Sequence, residues 1–138
     1  MTDHLNIDQL RQIAANDNTP PQSLVVPDLH HFHSVSVMWR MAMVLSALPY
    51  SRRAMPDFMA AVLYSDVRLV TESGKVWRVP EIDWHLAKGD AGCWFSELRK
   101  KAANPPKQRP HVNVLPRMRL VYLAIAHRHP ALAAMILK

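Results

Sequence analysis

Eleven prolines against three glycines set the first limit on how this 138-residue chain can fold. Proline lacks a backbone donor and clashes with the preceding helical turn, so each one ends a helix, opens one or sits in a connector. The chain is therefore cut into short segments by "NDNTPPQSLVVPD" at 16–28, Pro49, Pro56, Pro80, "NPPKQRP" at 104–110, Pro116 and Pro130. Scarce glycine removes a further class of structure. GxGxxG and GxxxxGK loops, which cradle nucleotide phosphates, cannot be built from Gly74, Gly89 and Gly92. Dinucleotide-binding and P-loop enzymes are excluded.

Between the breaks, apolar spacing assigns the elements. Residues 3–15 read as a short helix with Leu5, Leu10, Ile13 and Ala14 on one face and Asp3 as a cap. Turn formers and three prolines make 16–28 a linker, so residues 1–28 are expected to be an N-terminal helical arm with its Pro-rich connector. Residues 29–138 form one globular domain with a basic C-terminal third, 98–138. "SVSVMWRMAMVLSAL", 34–48, is apolar almost all round, the pattern of a core-traversing helix capped by Ser34 and ended by Pro49. "MPDFMAAVLY", 55–64, is a second buried helix opened by Pro56.

"VRLVTESGKVWRV", 67–79, reads as a β-hairpin with a two-residue Ser73-Gly74 turn, which sets Glu72 opposite Lys75, Val70 opposite Trp77 and Leu69 opposite Arg78. Helices at 81–88 and 93–103 flank "GDAG"; "HVNVL", 111–115, reads as a short strand, and 117–128 as a helix. The final "ALAAMILK" adds a helical turn whose apolar side is a sticky end if left unburied. The predicted class is α+β, predominantly helical: a compact helical domain with one β-hairpin and an N-terminal helical arm.

The longest apolar run, "LVYLAIA" at 120–126, is too short to cross a bilayer, and "MTDHLNIDQL" has neither a basic lead nor an apolar signal region. A cytoplasmic protein without a membrane partner is expected. Cys93 is the only cysteine, which excludes an internal disulfide and a multi-cysteine zinc site; it reads as a small buried hydrophobe.

Charge is divided unevenly. Residues 1–97 carry a net −3, whereas 98–138 carry +9 and no acid after Glu97. Such a division favours a polyanion partner. The cations of "LRKKAANPPKQRPHVNVLPRMR", 98–119, are Arg99, Lys100, Lys101, Lys107, Arg109, Arg117 and Arg119, the set expected to contact phosphate. Arg117 and Arg119 oppose the dipole of the helix they begin, an arrangement that an anion bound at that end would relieve. The competing reading is that these side chains only solvate an exposed helix and a Pro-rich loop.

Trp77, Trp84 and Trp94 lie in sequence near Lys75, Arg78, Lys88 and Arg99, a base-stacking pattern, but their apolar neighbours favour the core, with Trp84 the exception. The order helix, hairpin, helix, "GDAG", helix, strand over 55–115 resembles the KH module in outline only, since Asp90 sets a negative charge where a phosphate would lie. A winged helix, with 55–64 as recognition helix and 67–79 as wing, lacks side chains to read bases, although Arg52, Arg53, Arg68 and Arg78 remain to touch phosphate. Asp28, His30, His31 and His33, with His127 and His129, supply two HxH pairs for a divalent metal, yet no HExxH accompanies them.

The expected function is that of a small non-enzymatic, regulatory nucleic-acid-binding protein, for DNA or RNA, with no cofactor and no metal. The alternative is a protein-binding module or inhibitor docking on an acidic protein partner, with a homodimer through the N-terminal helix or the apolar C-terminal turn. A metal-dependent hydrolase using the histidine clusters is third.

Overall fold

A computed structural model describes residues 6–16, 21–89 and 91–137. The Asp3 cap, Leu5 and Asp90 lie outside the described residues.

The most apolar segment becomes α2 (Val35–Ala47). Ser34 caps it, its Oγ accepting the Val37 N–H at 3.3 Å, and Pro49 follows its end. Val37, Met38, Met41, Ala42, Met43, Val44, Leu45 and Ala47 are all buried, and the rest of the helix has no fully exposed residue. Its one charge, Arg40, is buried as well, and its Nε donates to the carbonyl of Ile136 at 2.9 Å.

Around α2 the short helices stack by their apolar stripes. The α1 helix (Ile7–Asn16) packs on α2 and on α7 (Pro130–Ala133) and buries Leu10, while α5 (Ala91–Ala103), which buries Phe95 and Leu98, makes the largest interface with α2. The second heavily buried helix is α6 (Leu115–Arg128), which meets α3 (Met55–Ala60), α4 (Glu81–Gly89), α7, strand β1 (Ser23–Val26) and the 3-10 turn at Leu29–Phe32. Leu132, Ala133 and Ile136 are buried, so the apolar end of the chain is covered by its own fold.

Two strands, β1 (Ser23–Val26) and β2 (Arg68–Thr71), pair in parallel from Ser23 opposite Arg68 to Val26 opposite Thr71. This corrects the linker reading of 16–28. Leu24 and Val26 point inward and Ser23 and Val25 outward, and a strand of four residues at a sheet edge fits between the flanking prolines. Helices α2 and α3 form the crossover that a parallel pair requires.

The expected hairpin forms only in part and in another register. Val70 faces Val76, Thr71 N–H donates to Lys75 O at 2.7 Å, and Trp77 N–H donates to Leu69 O at 2.9 Å. The loop therefore has three residues, Glu72, Ser73 and Gly74, one more than expected. A two-residue hairpin turn needs positive φ at its first residue, which would be Ser73. Among the described residues only Gly74, at φ +89°, takes that conformation, and it closes a three-residue loop instead.

Two further expectations are corrected. Residues 112–114 form a 3-10 turn, not a strand: His111 Nδ1 accepts the Asn113 N–H at 3.1 Å, and Pro116 takes the first turn of α6. The KH-like order is thus left without its last strand. Cys93 is exposed, because Ala91, Phe95 and Leu98 form the face of α5 that turns inward, and position 93 falls on the other side. No helix among the described residues is long and apolar enough to cross a membrane.

Candidate nucleic-acid interface

Helix α5 buries Ala91, Phe95 and Leu98 and ends with Arg99 and Lys100 exposed and Lys101 half-buried. Cations there are favoured by the negative end of the helix dipole, so the helix tolerates a cluster in which, among the described residues, only Lys100 lies beside an acid. Pro105 and Pro106 stop the helix, and the chain continues as a connector in which Pro110 is buried and Lys107, Gln108 and Arg109 are exposed. The connector turns back over the start of α2. Met38, Lys101, Pro106, Lys107, Gln108, Arg109 and Pro110 border a surface hollow of about 390 Å³.

Three of the seven expected phosphate contacts, Lys101, Lys107 and Arg109, therefore share one hollow. None of the three has an ion-pair partner among the described residues. Lys100 is exposed on the adjoining turn, where Glu97 Oε1 lies 3.2 Å from its Nζ. That last acid of the chain thus neutralises a member of the basic run.

The other three lie elsewhere. Arg99 sits with its guanidinium 5.1 Å from the Phe95 ring centroid and borders a different hollow with Arg11, Pro49 and His129. Arg117 is half-buried in the first turn of α6. Arg119 is half-buried with its guanidinium 5.1 Å from the Trp77 ring centroid, and its buried Nε has no hydrogen-bond partner among the described residues. Burial lowers the Arg119 pKa from its ordinary value, against the attraction of Asp83 and Asp28, which favours the charge. Arg119 is thus turned toward the hairpin and two acids from the first part of the chain.

Helix α3 does not serve as a recognition helix. Met55, Phe58, Met59 and Ala60 are buried against α4, α5 and α6, so four of its six residues face the core.

The histidines divide in the same way. His30 and His31 rings stand 4.1 Å apart, and His31 Nε2 lies 2.7 Å from Glu72 Oε1. His129 is buried with Nε2 hydrogen-bonded to Tyr50 Oη at 3.1 Å, and Arg128 Nη1 donates to the same oxygen at 3.4 Å. The Tyr50 ring stacks on Phe58 at 4.4 Å. Burial, and next Arg128, lower the pKa of His127. Among the described residues no three His, Cys, Asp or Glu side chains converge as a metal site would need.

A second feature emerges at the sheet. Trp77, from the strand returning after the loop, and Trp84, from α4, border a cleft of about 560 Å³ together with Arg68 and Arg78. Tryptophan beside arginine is visible in the sequence, but the join between residues 68, 78 and 84 depends on the loop register and on the docking of α4. Compared with known proteins, the chain matches no family model, no curated protein and no solved structure.

Proposed function

We propose that this is a non-enzymatic nucleic-acid-binding protein of regulatory type, contacting the phosphate backbone through Lys101, Lys107 and Arg109, with Lys100 at the rim. The carrying observation is that three cations, from a helix end and a proline-held connector, border one hollow with no ion-pair partner among the described residues. Uncompensated like charges repel one another, and a phosphate between them relieves that repulsion while releasing counterions. Pro106 and Pro110 border the same hollow, so the connector loses less chain entropy on binding than a glycine-rich loop would. The net +9 of residues 98–138 adds longer-range attraction.

Fluorescence anisotropy of a labelled duplex and a labelled single strand, titrated with the full chain across a salt series, tests this reading. Three phosphate contacts on duplex DNA give a slope of log K against log salt of about −2.7. The triple variant K101E/K107E/R109E is expected to fold normally and to lose most of that slope and affinity. Wild-type affinity in that variant at low salt would overturn the assignment.

A further inference from the structure

We infer that the cleft between Trp77 and Trp84 is a stacking site for an unpaired nucleobase, with Arg68 and Arg78 placed for the phosphates of the same strand. The inference rests on the nucleic-acid reading above and deepens it by naming single-stranded nucleic acid as the ligand class.

The backbone that carries each indole is hydrogen-bonded, and both rings pack on the core. Trp77 is anchored through its backbone N–H to Leu69 O at 2.9 Å and is covered by the Arg119 guanidinium 5.1 Å from its ring centroid. Trp84 stands in the first half of α4, its backbone N–H bonded to Pro80 O at 3.0 Å. Both rings are partly buried against the core, yet both border the open cleft of about 560 Å³. A fixed π surface loses little freedom when a base stacks on it, and every base has a face to offer.

The polar members of the cleft are equally specific. Arg68 on β2 and Arg78 on the returning strand are exposed and have no ion-pair partner among the described residues. Glu81, the one acid among the described lining residues, lies 3.2 Å from His85 Nε2. An apolar peptide seated here would desolvate two arginines without matching their charge. A nucleotide strand supplies a ring for the indoles and a phosphate for each arginine. A duplex does not, because its base faces are already stacked on one another. The half-buried Arg119, which the charge count alone would send to a phosphate, lies instead against the Trp77 ring and is not in the cleft lining.

The test uses the full chain and three fluorescein-labelled probes of equal length: oligo(dT), an abasic strand with the same phosphates, and a duplex. Oligo(dT) is expected to bind about tenfold tighter than the abasic strand, with quenching of tryptophan fluorescence. Trp84→Leu is expected to remove that preference while leaving abasic and duplex binding intact. Should Trp84→Leu fail to fold, the surface double variant R68Q/R78Q carries the test and is expected to weaken oligo(dT) binding more than duplex binding. Equal affinity of the wild type for oligo(dT) and the abasic strand would overturn the stacking site. Salt-dependent duplex binding that is lost in K101E/K107E/R109E would in that case leave the phosphate reading standing. Tryptophan quenching by a synthetic leucine–glutamate helical peptide, with none by oligo(dT), would assign the cleft to a protein partner and also overturn the inference. Failure of all three nucleic-acid probes to bind at low salt would remove both readings together.

Discussion

Glu72 Oε1 lies 2.7 Å from His31 Nε2 and also accepts the backbone N–H of Asp28 at 3.0 Å, so one carboxylate joins the tip of the hairpin loop to the turn that follows β1. The Asp28 amide, followed by the charge of His31, holds the Glu72 pKa below the ordinary 4.5. A folded-state pKa that is depressed means the contribution is fully present above 4.5 and is lost as pH falls through the lower folded value. Following the Glu72 side-chain carboxyl carbon by NMR during acidification should therefore show a midpoint below 4.5. A midpoint at or above the ordinary value would contradict the contact.

The loop itself should be sensitive to one glycine. Gly74 has φ +89°, and a Cβ built there meets nothing within 4 Å, so the cost of a side chain is conformational and not steric crowding by neighbours. Gly74→Ala is expected to destabilise the protein by about 1 kcal/mol, and Gly74→Asn by less, since asparagine enters the left-handed region more readily. Urea unfolding of the two variants gives the comparison. Equal stability of wild type and alanine variant would mean a different turn.

Arg40 should matter more than its position in an apolar helix suggests. It is 7% exposed and donates to Ile136 O at 2.9 Å, linking the middle of α2 to the turn after α7. Arg40→Ala removes a charged donor and strands a buried carbonyl, a loss on the order of 1.5–3 kcal/mol. Arg40→Lys is expected to recover only part of it, because an ammonium lacks the fixed Nε direction of the guanidinium. Denaturant midpoints at constant m-value will report both.

How far the fold was legible depended on whether local chemistry and tertiary need agreed. Helix α2 was readable because Ser34, an almost unbroken apolar run and Pro49 all say the same thing. Strand β1 was hidden because four residues between prolines carry too short a pattern to outweigh the turn formers around them. Alternation in "HVNVL" resembled a strand, yet Pro116 two residues after Val114 already committed that stretch to a helix entry. The cations were countable but not aimable. Arg99 and Lys101 stand about 200° apart around a helix, so close neighbours in the chain reach different hollows. Arg119 depended on a partner, Trp77, that only the folded hairpin brings to it.

The parallel pairing of Ser23–Val26 with Arg68–Thr71 has a consequence for the order of assembly. Parallel strands cannot nucleate from a local turn, and here everything from Pro27 to Val67, with both α2 and α3, must condense before the ladder closes. Chain entropy thus delays this sheet relative to the helices. Arg68 and Leu69 lie on β2, so the tryptophan-lined cleft reaches its final shape only with that late step.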